Sequence, residues 1–270
     1  MTDQAALAAH FLELHRPGDP LVIPNPWDAG SARLLASLGF RALATTSSGF
    51  AATLGRMDGS VTRDEALAHA AVIVAATPLP VSADLENGFA EDVAGVAATA
   101  RGAVEAGLAG FSIEDYSGAN DRLYDRDEAV ERVRAAVEVA HGGAAHVVVT
   151  ARAENYLRGN PDLDDTIGRL QAYQEAGADV LYAPGPTDPD VIRALVSGVD
   201  RPVNVLARGG GPTVAELAQL GVARISVGGA FAFVAIDAVV AAATELRDRG
   251  TYGFAERVVP GARAAAAAFS

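Results

Sequence analysis

Pro78-Leu79-Pro80-Val81-Ser82-Ala83-Asp84-Leu85-Glu86-Asn87-Gly88-Phe89 is the stretch from which the whole chain can be read. Val81, Ala83 and their neighbours form a short apolar run led in by Pro80, which predicts a buried strand. The run passes straight into Asp84 and Glu86, then breaks at Asn87-Gly88. Side chains two apart on a strand point the same way, so Asp84 and Glu86 converge if the extended backbone lasts that far. Carboxylates brought together repel, and a hard cation such as Mg2+ offsets that repulsion. The other reading is a strand that leaves the core through an acidic, solvated turn.

The same alternation of strand and helix runs outward in both directions. Upstream, residues 3–16 predict an amphipathic helix ended by Pro17-Gly18. Leu21–Pro24 is a first strand, Asn25-Pro26-Trp27-Asp28 a turn, Ala29–Leu38 a helix, and Arg41–Thr45 a second strand. Thr46-Ser47-Ser48-Gly49 reads as a small-residue loop. Thr62-Arg63-Asp64-Glu65 has the spacing of a capping box that opens the next helix. Downstream, strands are expected at 110–113, 147–150, 180–182, 203–206 and 224–227, with helices over 93–106, 126–140 and 163–176. Gly39, Gly107, Gly177 and Gly221 each stand where a left-handed cap ends a helix before a strand. Eight such units without a linker predict a single α/β domain over residues 1–270, a (β/α)8 TIM barrel with extra C-terminal helices from about 230 to 270. A doubly wound sheet would need a Gly-rich dinucleotide turn after an early strand, and none occurs.

In a barrel of this kind the carboxyl ends of the strands face the active site. Asp84, Glu86, Glu114, Asp115 and Arg152 all fall at such ends, which points to a metal and anion site at one mouth. The composition narrows the partners. The 270 residues are 50% hydrophobic and carry a net charge of -13, so no basic footprint for nucleic acid is present. Cysteine is absent, which excludes disulfides, thiolate metal sites and thiol nucleophiles. Met1-Thr2-Asp3-Gln4-Ala5 has neither the basic start nor the apolar core of a signal peptide. The Ala/Val-rich run Ala230–Ala243 contains Asp237 and falls short of the roughly 18 apolar residues of a membrane span. A cytoplasmic protein without membrane partners is expected.

The motifs Ala83-Asp84-Leu85-Glu86-Asn87-Gly88, Ser112-Ile113-Glu114-Asp115 and Thr150-Ala151-Arg152 closely resemble the isocitrate lyase / phosphoenolpyruvate mutase superfamily. So do Asn25-Pro26-Trp27-Asp28, Ser48-Gly49, Leu54-Gly55-x-x-Asp58 and Pro202-Val203-Asn204-Val205, over about residues 20–230. The resemblance implies an Mg2+-dependent barrel, with Mn2+ as a substitute, that makes or breaks C–C or P–C bonds beside a 2-oxo or enol carboxylate. It implies Asp84 as the direct metal ligand, with Glu86 and Glu114 holding the metal through water. Ser48 and Gly49 would take the substrate carboxylate, Arg152 the 2-oxo or enolate oxygen, and Asn204 a further substrate contact. Asp58 would lie in a gate loop that closes over the substrate. With Arg152 and Glu114 it makes up the catalytic set. A homotetramer or homodimer that exchanges a C-terminal helix is also implied.

Departures from the family limit the chemistry. Its isocitrate and methylisocitrate lyases carry a Cys-Gly-His-type loop after the fourth strand, where this chain has Ser117-Gly118-Ala119-Asn120-Asp121-Arg122-Leu123-Tyr124. The glutamate those enzymes use after the sixth strand is replaced by the segment Tyr182-Ala183-Pro184-Gly185. The Lys-x-Asn element and the histidine of phosphonate enzymes are missing too. What remains predicts an Mg2+-dependent lyase on a small 2-oxo or 2-hydroxy dicarboxylate, oxaloacetate decarboxylase-like or acting on a substituted malate. The alternatives are a P–C bond mutase or hydrolase, and a non-catalytic 2-oxo-acid-binding protein. Trp27 either walls the site or merely packs beneath it. Arg208-Gly209-Gly210-Gly211 and Gly228-Gly229 read as rim turns, and the five histidines as surface or packing residues.

Overall fold

The apolar runs form strands and the periodic runs form helices, in the expected order. The computed structural model describes residues 3–270. The chain opens with α1 (Gln4–Glu13), β1 (Leu21–Ile23), α2 (Ala29–Ser37), β2 (Leu43–Ala44), α3 (Ser47–Thr53), α4 (Arg63–Ala76) and β3 (Val81–Asp84). It continues through α5 (Val93–Glu105), β4 (Gly110–Glu114), a small hairpin of β5 (Tyr116–Ser117) and β6 (Arg122–Leu123), α6 (Arg126–His141) and β7 (Val148–Arg152). Then come α7 (Leu163–Glu175), β8 (Val180–Tyr182), α8 (Pro189–Ser197), β9 (Val203–Leu206), α9 (Val214–Gln219), β10 (Arg224–Ser226), α10 (Ala230–Arg249) and α11 (Ala255–Phe269).

Eight strands make one parallel sheet in the order β1-β10-β9-β8-β7-β4-β3-β2. This is a nearly closed (β/α)8 TIM barrel of the α/β class. β1 and β2 meet at the seam, where Ala44 N–H donates to Pro24 C=O at 3.1 Å. The Asn25 side chain links this seam to the segment that follows β10. Its Nδ2 donates to Thr45 C=O at 3.0 Å, and its Oδ1 accepts from Val227 and Gly228 N–H at 2.9 and 3.0 Å.

The four expected glycine caps carry φ between 82° and 100°, the left-handed region a side chain rarely enters. The capping box holds as well, with Thr62 and Glu65 exchanging bonds at the start of α4. At the foot of the barrel, α1 inserts Ala8, Phe11 and Leu14 against Leu21, Ala42, Ala109, Val148 and Val180, where the strands begin. Gly110 makes room for this plug, since a Cβ there would lie 2.8 Å from the Phe11 ring and from Val148 C=O. The larger apolar cluster lies between the strands and helices α2 to α8.

Two expectations are corrected. The small-residue loop 46–49 is the start of α3, with Thr46 as N-cap accepting from Gly49 N–H at 3.4 Å. Small hydroxyl residues favour helix starts as readily as loops, so the composition alone did not separate the two. Extended backbone also stops at Asp84. Glu86 sits at φ 47°, in a turn that Gly88 N–H closes onto Leu85 C=O. The two-residue strand rule therefore does not carry Glu86 into line with Asp84.

Candidate active site

Three strand ends supply the mouth. Asp84 ends β3, Glu114 ends β4 and Arg152 ends β7, with Glu114 and Arg152 directly opposite in register. Arg152 Nη1 donates to Asp84 Oδ1 at 2.8 Å, and Nη2 pairs with Glu114 Oε2 at 3.0 Å. Its Nε donates to Glu154 Oε1 at 3.0 Å. One guanidinium thus orients three carboxylates, and it stacks 5.3 Å from the Tyr182 ring centroid. Burial alone would weaken its charge, but the carboxylates of Glu154, Glu114 and Asp84 outweigh that and hold its proton more firmly than usual.

The acids outnumber the cations, since Arg158 adds only longer ion pairs to Glu114 and Glu154, at 3.7 and 3.8 Å. Burial pushes the Glu86 carboxyl up to about 8, helped by the charges of Asp84 and Asp58. Burial likewise raises Glu114 well above the ordinary carboxylate range, against the pull of Arg152. Glu86 Oε1 and Glu154 Oε2 are buried without a hydrogen-bond donor. A hard cation at Asp84 would answer both the crowding of charge and the unpartnered Glu86 oxygen, so the residues fit Mg2+. Asp84, Glu86 and Glu114 do not close into a compact three-ligand cage. Among the described residues the one such group is His141, His146 and Asp179, at the opposite end of the barrel.

Asp115 does not join the mouth, which corrects its expected place there. Adjacent side chains on a strand face opposite ways, and Asp115 turns outward beneath α7. It accepts from Tyr173 Oη at 2.6 Å, Glu154 N–H at 2.8 Å and Arg169 Nη1 at 3.1 Å. Arg169 Nε continues to Asp165 at 2.7 Å, which also accepts from Arg126 and Asn155 at 2.8 Å each.

The remaining residues divide between two adjoining spaces and one apart. An inner cavity of about 180 Å³ takes in Ser48, Asp84, Arg152, Asn204 and Arg224. An outer one of about 380 Å³ takes in Asp58, Glu86, Glu114, Arg152 and Arg158. Asp58 is exposed at the rim and borders both. Ser47 N–H donates to Asp84 Oδ2 at 3.3 Å, tying the start of α3 to the end of β3. Gly49 and Trp27 instead border an apolar hollow under α10, with Ile236 and Val239. A Cβ on Gly49 would lie 2.6 Å from Thr46 and 3.2 Å from Trp27, so glycine is required there by packing.

Sequence reasoning passed over Glu154, Arg158, Tyr182 and Arg224. Glu154 follows Arg152 at the same spacing as Glu86 follows Asp84, a signal that was available. Arg224 is a charge at the head of a fully buried strand, which is rare unless the charge is used. The hairpin β5–β6 is tethered by Glu91, whose carboxylate accepts from Ser117 Oγ at 3.0 Å and Asn120 Nδ2 at 2.8 Å.

Comparison with known proteins follows this geometry. The family model described as phosphoenolpyruvate phosphomutase matches residues 11–247. The crystal structure of a candidate lyase/mutase from Burkholderia cenocepacia J2315 is 54% identical, covering 97% of this chain and 95% of that one at a TM-score of 0.93. 2,3-Dimethylmalate lyase, described as a PEP mutase/isocitrate lyase superfamily member, is 30% identical over 96% and 94% at 0.84. Oxaloacetate acetylhydrolase, solved with its product oxalate, is 27% identical over 98% and 93% at 0.87. No helix of the described residues is long and apolar enough to cross a membrane. A match of this extent, on a barrel whose mouth joins Asp84, Glu114 and Arg152, means that the chain belongs to the phosphoenolpyruvate mutase/isocitrate lyase superfamily and is an enzyme of the lyase type.

Proposed function

We propose that the protein is an Mg2+-dependent lyase that cleaves a C–C bond beside the 2-oxo or enol carboxylate of a small 2-oxo or 2-hydroxy dicarboxylate. The observation that carries this is the Arg152 guanidinium, fixed by Asp84, Glu114 and Glu154 at the strand ends, beside a buried and unpartnered Glu86 oxygen. Asp84 would hold the metal directly, and Glu86 and Glu114 would hold it through water. Bound there, Mg2+ supplies a Lewis acid for the oxygen that gains charge as the bond breaks.

Arg152 holds that oxygen with charge-assisted hydrogen bonds, which strengthen as enolate character develops. The guanidinium is buried and paired before substrate arrives, so little reorganisation is needed during reaction. Ser48, with the first backbone N–H groups of α3 beside Gly49, takes the substrate carboxylate. Glu114, whose affinity for a proton burial raises against the pull of Arg152, stands beside that guanidinium as the candidate proton carrier of the site. Asp58 closes over the outer space and excludes water. Asn204 shapes the inner space, while Trp27 packs behind α3 in the separate hollow under α10.

The likeness to 2,3-dimethylmalate lyase and oxaloacetate acetylhydrolase supports a C–C substrate of this class. The test is release of 2-oxo acid from substituted malates and from oxaloacetate with Mg2+, followed by phosphonopyruvate turnover in 31P NMR. Turnover of the phosphonate alone would transfer the protein to P–C chemistry. Ligand-induced thermal shift without any turnover would make it a binding protein. Asp84→Ala is expected to abolish Mg2+ binding by calorimetry while circular dichroism stays unchanged, and unchanged affinity would remove the metal assignment. Phe233, Val234, Ile236, Val239 and Val240 of α10 are exposed in the single chain, which supports an oligomer that covers or exchanges this region. Sedimentation as a monomer at micromolar concentration would contradict it.

A further inference from the structure

Arg224 is the one buried arginine near the mouth whose demand is unmet. It is 5% exposed and opens β10, in register with Asn204 on one side and Leu21 on the other. Nη1 donates to Thr150 Oγ1 at 3.1 Å, while Nε has no partner. Arg152 and Arg169 each hold a carboxylate at 3.1 Å or less, and buried Arg132 donates to three backbone carbonyls. Arg224 has no carboxylate within 4.0 Å among the described residues. Burial pulls its pKa down to about 10, with Tyr182 acting against that, so it remains a cation at neutral pH. A buried charge without a counter-charge is costly unless something supplies one.

The guanidinium borders the inner cavity of about 180 Å³ with Asp84, Arg152, Tyr182, Asn204 and Ser226. Thr150, which anchors Arg224, and Arg152 lie two apart on β7, so their side chains share one face about 6.5 Å apart. Ser226 Oγ accepts from Asn204 Nδ2 at 3.1 Å and keeps its own proton to donate. The cavity is thus bordered by two arginines, Arg152 on the side it shares with the outer space and Arg224 beside Thr150, one strand repeat further down β7.

We propose that Arg224 is an inner anion grip that takes the second carboxylate of a four-carbon dicarboxylate, so that the ligand lies end-on along the barrel axis. This rests on the lyase reading above and narrows its substrate class. One end of the ligand meets Arg152 and the Asp84 site, and the other meets Arg224 and Ser226. A monocarboxylate of the same length fills the cavity but leaves Arg224 unpaired.

The test uses a matched pair of ligands, D-malate and D-2-hydroxybutyrate, which differ by a carboxylate in place of a methyl group. Calorimetric titration of the Mg2+-loaded wild type should show malate binding about 10- to 100-fold tighter, the range of one charge-assisted pair. Arg224→Gln should erase that preference and leave the affinity for 2-hydroxybutyrate unchanged, and Arg224→Lys should restore part of it. If Arg224→Gln does not fold, Thr150→Val, which frees the guanidinium from its anchor, should still reduce the preference severalfold. No preference in the wild type, or equal loss of both ligands in the folded variants, overturns the inner grip. Equal binding of both acids together with 2-oxo-acid release overturns the grip alone. Absence of both binding and release removes the grip and the lyase reading together.

Discussion

Two clusters of acids and arginines lie side by side in this barrel, and they are built to opposite rules. Behind β4, Asp115 and Asp165 meet Arg169, Arg126, Tyr173 and Asn155, and each of the four carboxylate oxygens has at least one donor. At the mouth, Asp84, Glu114 and Glu154 share Arg152, and buried oxygens of Glu86 and Glu154 have no donor. The first cluster leaves no carboxylate oxygen unmet, and its one unpartnered buried atom is the neutral Asn155 Oδ1. The second is short of positive charge, which a cation can supply. Glu114 and Asp115 are neighbours in sequence, yet one belongs to each cluster, because adjacent strand residues face opposite ways. A charged group by itself does not mark function; a buried charge whose partners are missing does.

The largest effect should come from the mouth. Arg152→Ala is expected to lower kcat about 100- to 1,000-fold, the usual cost of one charge-stabilising donor, and to lose 2-oxo-acid binding as well. Wild-type affinity in that variant would mean the anion is held elsewhere. Asp58→Ala should cost about 100-fold in kcat while product affinity measured by calorimetry stays near normal, since Asp58 stands at the rim. A parallel loss of affinity would make Asp58 part of the ground-state site.

Tyr173→Phe tests the first cluster. It removes one donor from a buried carboxylate, so stability should fall by about 1–3 kcal/mol, or roughly 2–4 °C in Tm per kcal/mol for a chain of this size. Turnover at a temperature where the variant is folded should stay within about twofold. A large kcat defect there would mean that the two clusters act as one.

The smallest effect is the sign of the pH response. Asp165 is brought down to about 2, because its bonds to Arg169, Arg126 and Asn155 outweigh its burial. Its folded value lies below the unfolded one, so its contribution is present above about pH 4 and is lost as pH falls toward 2. Glu86 is raised from 4.5 to about 8, so the metal-free protein should lose stability as pH rises through that window. Saturating Mg2+ or Glu86→Gln should flatten this second slope in thermal melts. An unchanged slope in Glu86→Gln would remove Glu86 from the account.

Much of this was legible in the chain. The spacing of apolar runs located the eight barrel strands, and the fold rule then turned Asp84, Glu114 and Arg152 into neighbours across 68 residues. What stayed hidden depends on backbone turns and on the third dimension. Glu86 looked aligned with Asp84, but its positive φ lies in the turn chemistry after the strand. Asp115 looked like a site residue because strand ends in sequence do not say which face a side chain takes. Gly49 carries the family motif, yet its surroundings are those of close packing against Trp27 and Ala232.

The pairing of β1 with β10 sets the order in which the barrel can be closed. Asn25 is made before the backbone groups that close β10 onto it, Val227 and Gly228, which follow 202 and 203 residues later. A nascent chain short of residue 228 already carries the strands that bear Asp84, Glu114 and Arg152, in an open sheet whose two edges have nothing to clasp. The ribosome must therefore release the stretch from residue 25 to residue 228 before the hoop can be fastened. During that interval the exposed edges of β1 and the latest strand are where a chaperone, or a second nascent chain, would find purchase.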